Sequence, residues 1–161
     1  QRAAQQSGLD PARLVFAGTL PEMSGHLARH RHADLFLDTF VYGAHSTAAD
    51  AIATGLPILT CAGPAMPSRV GASLARSHGL GELVVGTPAD YVALAIGLAG
   101  DRSRLTALRA GLAETLGVMP HGARFAGKLE LAYHRLWRAL LGGELHAGHI
   151  INIEATGPLE N

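Results

Sequence analysis

Hydrophobic positions along the chain fall into two regimes. Up to Pro88, apolar runs of strand length alternate with stretches of helical spacing; beyond it only helical spacing remains. Gln1 to Ser7 reads as the end of a helix closed by Gly8, and Asp10-Pro11 opens a turn. Arg13 to Ala17 is a strand-length run ended by Gly18, and a helix is predicted from Glu22 to His30. Strands follow at Asp34–Asp38, Leu56–Thr60 and Leu83–Val85. Helices at Ser46–Thr54 and Ser68–Ser77 separate them. Gly55 and Pro57 punctuate the first of those helices, while Thr87-Pro88 supplies a cap and first helical residue for the next. Alternation at this spacing predicts an α/β fold with a parallel sheet covered on both faces.

After Pro88 two consecutive helices are predicted, Ala89–Leu98 and Arg102–Leu116, and then a longer one from Gly122 to Leu141. In the last, Phe125, Leu129, Ala132, Leu136 and Leu140 make an apolar stripe, with Trp137 beside it as a packing residue. The pattern divides the chain into residues 1–141 and a weakly patterned tail, 142–161, whose final residues read as an added segment. Gln1 stands in what reads as mid-helix, so the chain is expected to be a piece of a longer one.

Composition narrows the classes. A hydrophobic content of 48% in 161 residues suits one domain with a proper core. Thirteen acidic and thirteen basic residues balance, so no electrostatic footprint for nucleic acid or an anionic membrane is present. Cys61 is the single cysteine, which rules out an internal disulfide framework and suits a reducing, cytoplasmic setting. No apolar run is of bilayer-spanning length.

The candidate chemistry sits between the Asp34–Asp38 strand and the helix that follows. A strand feeding a helix start leaves the first backbone N–H groups unpaired at the positive end of the helix dipole. Ser46 and Thr47 add hydroxyls there, and Ala48 and Ala49 permit close approach, which suits a phosphate or diphosphate. Asp50, four residues after Ser46, lies on the same face one turn deeper, where a carboxylate can accept hydrogen bonds from a ribose diol. His45 is placed to stack on a sugar or donate to a phosphate. A purely structural account gives Ser46 as an N-cap and Asp50 as a complement to the dipole. For His26, His30 and His32, a solvated basic helix end with Arg29 and Arg31 outweighs a metal site, because no third ligand is evident. Arg69, a cation at a helix start, calls for a carboxylate partner or a ligand phosphate.

Four blocks, in order and spacing, carry a family resemblance: Ala33–Thr39, Gly43–Asp50, Gly55–Thr60 and Ser68–Ser73. The chain resembles the C-terminal catalytic lobe of the O-linked N-acetylglucosamine transferases, a glycosyltransferase family that includes SPINDLY-type proteins, some of which use GDP-fucose. The resemblance implies a Rossmann-like lobe of the two-lobed GT-B fold. It also implies a donor site in which Ser46 and Thr47 meet the diphosphate, Asp50 the ribose and His45 the nucleotide. His26 and Arg29 match a His-x-x-Arg helix facing the base, although the Leu20–Gly25 loop departs from the family by about one residue and lacks a base-contacting lysine.

Further implications concern what this stretch lacks. The family's phosphate-contacting lysine comes from an earlier strand; the one lysine here, Lys128, falls in the late amphipathic helix and reads as a surface charge. Acceptor groups and the proposed bases belong to the N-terminal lobe and the preceding TPR repeats, so the chain is expected to hold most of a donor site and no catalytic residue. The implied reaction is inverting transfer of N-acetylglucosamine from UDP-N-acetylglucosamine to a Ser or Thr hydroxyl of a protein or peptide, with no metal or other cofactor. Alternatives are transfer from GDP-fucose, a UDP-N-acetylglucosamine 2-epimerase, and a binding scaffold without turnover.

Overall fold

The computed structural model describes residues 2–118, 122–146 and 148. Its contacts form two units, one through Gly117 and one from Val118 onward. In the first unit, α1 (Arg2–Gln6) and a 3-10 turn at Pro11–Arg13 precede α2 (Met23–Ala28), which tightens into a 3-10 turn at Arg29–His32. Then come β1 (Phe36–Leu37), α3 (Ser46–Ala53), β2 (Ile58–Cys61), α4 (Val70–Ser77), β3 (Val84–Val85), α5 (Pro88–Gly100) and α6 (Arg102–Val118). The three strands form one parallel sheet in the order β1-β2-β3, with Phe36 opposite Ile58 and Thr60 opposite Val84.

β2 is the centre of the fold. Its residues Ile58, Leu59 and Thr60 are all buried, as a central parallel strand covered on both faces requires. α3, α4 and α5 all pack on it. α3 offers Ala48, Ala51 and Ile52 to the core, α5 offers Leu98 and α6 offers Leu105, Leu108 and Leu112.

Two helix exits repeat one device. After α3, Leu56 N–H donates to Ala51 O (2.9 Å) and Gly55 N–H to Ile52 O (2.8 Å), with Gly55 at φ +77°. After α4, Leu80 N–H donates to Ala75 O (2.8 Å) past Gly79, also at φ +77°. This Schellman closure needs a left-handed residue, which glycine supplies without steric cost, and it delivers an apolar residue onto the core. Leu56 and Leu80 are both buried. At the same end of the sheet, Arg109 of α6 donates to the carbonyls of Gly55 (3.3 Å) and Ala33.

Several expectations shift. The Arg13–Ala17 run does not form a strand: Pro11–Arg13 winds into the 3-10 turn, and Leu14 is extended but joins no sheet among the described residues. Val15 and Phe16 stand 89% and 73% exposed. An extended run becomes a strand only where a neighbour supplies the ladder of donors and acceptors. The Asp34–Asp38 strand contracts to Phe36–Leu37, with its ladder to β2 running from Phe36 N–H to Asp38 N–H, and α4 starts at Val70 because Met66–Ser68 winds as a 3-10 turn around Pro67.

In the second unit, α7 (Gly122–Leu141) matches its predicted bounds. Along its stripe Ala132 and Leu136 are half-buried while Phe125, Leu129 and Leu140 are exposed, and so is Trp137, contrary to the packing role expected of it. Most of the 142–161 tail lies outside the described residues.

The end of β1 is buttressed from α5, whose Tyr91 hydroxyl donates to the carbonyl of Asp38 at 2.8 Å. Burial pushes the Tyr91 phenol up to about 12, and the nearby Asp38 and Cys61 add repulsion to a phenolate. The unfolded chain therefore loses this proton first as pH rises, and the stabilisation present below pH 10 disappears between roughly pH 10 and 12. Tyr91→Phe is expected to flatten the fall in unfolding free energy over that window, measured by urea denaturation at stepped pH.

Candidate functional site

The loop from β1 to α3 leaves the carboxyl end of the sheet, where parallel α/β folds bind ligands. It encloses an open cavity of about 410 Å³ lined by Leu37, Asp38, Thr39, Tyr42 and Gly43 to Thr47. A second cavity, about 440 Å³, lies toward the other ends of the strands, against α5 and α6. It is larger, but its Arg109 guanidinium is already taken up by two backbone carbonyls, and the start of α6 that borders it at Arg102 is capped by Asp101, which accepts from Arg104 N–H at 2.9 Å. The donor groups converge on the smaller one.

α3 starts there without an internal cap. His45 occupies the N-cap position and makes no side-chain cap bond, leaving the first N–H groups of the helix beside the cavity. Ser46 is the first helical residue, not the cap. Neither its hydroxyl nor that of Thr47 has a protein partner among the described residues. The capping account of Ser46 therefore fails. Asp50 lies beyond the first turn and bonds no helix N–H; one of its oxygens meets His26 Nε2 at 3.3 Å.

His26 and Arg29 are joined to that carboxylate in sequence. An Arg29 terminal nitrogen sits 2.6 Å from His26 Nδ1, and the other donates to Gly18 O at 3.1 Å. A guanidinium only donates, so Nδ1 must present its lone pair and the ring proton belongs on Nε2, facing Asp50. The pair thus holds one oxygen of Asp50 and leaves the other uncommitted. His30 packs edge-on against His26, and among the described residues no group of histidine, cysteine and acidic side chains could hold a metal ion.

His45 is fixed differently. Its Nε2 lies 3.1 Å from Pro67 O and its ring stacks on Tyr42 at 5.0 Å. The carbonyl can only accept, so a neutral His45 carries its proton on Nε2 and offers Nδ1 as an acceptor. Stacking on a ligand is open to it; donation to a phosphate would require a second proton. Arg69 is exposed and forms no ion pair among the described residues, so the carboxylate partner expected for it is absent.

Sequence reasoning overlooked Asp38. It is 6% exposed, and its Oδ1 accepts from Thr39 N–H (2.8 Å) and Ala44 N–H (2.7 Å) while Oδ2 accepts from the Thr60 hydroxyl (2.7 Å). Gly71 backs onto this carboxylate so closely that a Cβ there would lie 2.4 Å from Oδ2. The signal was available: an acid ending a buried strand, with a glycine-containing loop after it, is too costly to bury without donors.

Known proteins resemble this chain in sequence and fold. Residues 1–116 match the family described as Glycosyl transferase family 41. A probable UDP-N-acetylglucosamine–peptide N-acetylglucosaminyltransferase SPINDLY of Petunia hybrida is 34% identical over 143 residues, covering 88% of this chain and 15% of the relative. A UDP-N-acetylglucosamine–peptide N-acetylglucosaminyltransferase of Caenorhabditis elegans is 31% identical, over 91% of this chain and 13% of its own length. A solved structure of an O-GlcNAc transferase mutant of Thermobaculum terrenum superposes with a TM-score of 0.81 at 34% identity, covering 89% of this chain and 28% of that one. The chain therefore spans about a seventh of the curated relatives' length. Its small parallel sheet, ending in consecutive helices, is the Rossmann-like lobe of a GT-B glycosyltransferase. The chain belongs to glycosyl transferase family 41.

Proposed function

We propose that this chain forms part of the donor-binding lobe of a glycosyltransferase that transfers N-acetylglucosamine from UDP-N-acetylglucosamine to Ser or Thr hydroxyls of proteins. The observation carrying the reading is the uncapped start of α3 opening into the 410 Å³ cavity, with Asp50 held one turn deeper by His26.

In this reading the N–H groups at the helix start and the hydroxyls of Ser46 and Thr47 receive the diphosphate. The free oxygen of Asp50 accepts from the ribose diol, and His26 with Arg29 borders the base. His45 stacks beside the nucleotide. The acceptor oxygen attacks the anomeric carbon from the face opposite the diphosphate. The carbon–oxygen bond to the diphosphate breaks, and its electron pair leaves with the nucleotide. The acceptor's proton passes to a base outside this segment. Charge growing on the leaving diphosphate is stabilised by donors fixed before the reaction begins, the arrangement that contributes most to such catalysis. No metal enters the scheme. The N-terminal lobe, TPR repeats and acceptor site expected from the resemblance would complete it.

Three outcomes test the reading in the full-length protein. UDP should bind more tightly than GDP by titration calorimetry; equal or reversed affinities would shift the donor to GDP-fucose. Asp50→Ala should weaken UDP binding by more than about 1 kcal/mol, the scale of hydrogen bonds to a charged group, and an unchanged titration would remove Asp50 from the site. Incubation with UDP-N-acetylglucosamine and a serine-bearing peptide should raise the peptide mass by one N-acetylhexosamine; failure across a broad peptide panel would favour a non-catalytic binder.

A further inference from the structure

The β1–α3 loop is held by several constraints, three of which fall on the carboxylate of Asp38. Asp38 Oδ1 accepts from Thr39 N–H and from Ala44 N–H, near the two ends of the connection, and so pinches it together. Between them the backbone turns sharply. Tyr42 N–H donates to Phe40 O at 2.8 Å around Val41, which sits at φ +68° and is 86% exposed. This is a γ-turn of the rare, strained kind, with a β-branched residue in a region such residues avoid. Exposed Val41 gains no burial in return; the turn is held by the closure at Asp38, by the Thr39 hydroxyl donating to Tyr42 O (2.8 Å) and by Gly43 N–H donating to Pro67 O (3.0 Å).

The closure itself is anchored from three directions. The Thr60 hydroxyl of β2 donates to Oδ2, Tyr91 of α5 donates to the Asp38 carbonyl, and Gly71 of α4 leaves room for the carboxylate that no larger residue would leave. Gly43 is likewise tight: a Cβ there would lie 3.1 Å from Oδ2. Ala44 directly precedes His45, the N-cap position of α3. The bond from its N–H to Asp38 therefore sets where α3 begins and how its first N–H groups point.

We propose that Asp38 is a positioning residue for diphosphate recognition, a buried carboxylate whose oxygens are taken up by the loop and β2 and which thereby fixes the start of α3. The proposal rests on the donor-site reading above. It has a consequence that plain structural support lacks: loss of the carboxylate should harm recognition of the phosphates selectively, because His26 and Arg29 belong to α2 and its 3-10 extension, and Asp50, although in α3, lies beyond its first turn and is held by His26.

The test compares UDP and uridine binding to the full-length protein by calorimetry. Asp38→Ala is expected to weaken UDP about tenfold, the order of one lost hydrogen bond to a charged group, while uridine changes less than twofold. Asp38→Asn keeps an oxygen for both N–H groups, and the Thr60 hydroxyl can turn to accept from its amide, so UDP affinity should return to within about threefold of the parent. If Asp38→Ala fails to fold by circular dichroism, Thr60→Val replaces it, with a smaller UDP-selective loss expected. Parallel weakening of UDP and uridine, or no change in UDP, would overturn the proposal. A parent protein that binds UDP no better than uridine would instead overturn the donor-site reading, and this inference with it.

Discussion

A carboxylate removed from water needs donors, and the backbone around Asp38 is arranged to supply them. Two N–H groups and one hydroxyl close on its oxygens, leaving it 6% exposed with every bond short. Those bonds tie β1 to β2 through Thr60 and to the start of α3 through Ala44. Removing one partner would leave the carboxylate short of a donor it cannot replace from water, a loss of about 1–3 kcal/mol. The geometry of the cavity mouth is thus not a property of the loop's own sequence. It is inherited from a buried ion at the strand's end.

The ligand-facing groups follow a complementary logic. Asp38 accepts the N–H groups of Thr39 and Ala44, the carbonyls of Phe40 and Pro67 accept those of Tyr42 and Gly43, and the helix start with its two unpartnered hydroxyls supplies donors beside the cavity. Asp50 is oriented by His26, whose tautomer is set in turn by Arg29. Two acids within one short stretch therefore do unlike things. One is buried and satisfied by the backbone; the other is half-exposed with an oxygen to spare.

Much of this could be read from the chain itself. Helix α3 with its glycine stop, central strand β2 and the long α7 follow from local chemistry: apolar spacing, Gly55, Pro57 and a run of small residues. His26, Arg29, His45, Ser46, Thr47 and Asp50 could be placed at one site by resemblance, and the coordinates bring His26, Arg29 and Asp50 into contact and put His45, Ser46 and Thr47 around one cavity. What could not be read was relational. Whether Leu14 to Ala17 becomes a strand depends on a neighbour, and local propensity is silent about neighbours. The pairing of Thr60 with Asp38 spans 22 residues and the support from Tyr91 spans 53, distances at which a pattern in sequence carries no information on contact. Exposure of Trp137 is a property of what packs against α7, which periodicity does not report.

The two kinds of connection in this lobe are built to opposite standards. Passages from helix back to strand, through Gly55-Leu56 and Gly79-Leu80, are brief, closed by the same pair of backbone bonds and sealed by a buried leucine. The outward passages from β1 to α3 and from β2 to α4 are longer, and the first carries the groups that face the cavity, whereas β3 reaches α5 through Gly86 and Thr87 alone. Insertions and exchanges on the outward side leave the core register untouched, whereas one extra residue on the return side would misplace a leucine and slip a strand. Such a scaffold lets ligand preference diverge by editing one rim while the opposite rim stays fixed, so drift in specificity need not be accompanied by drift in fold.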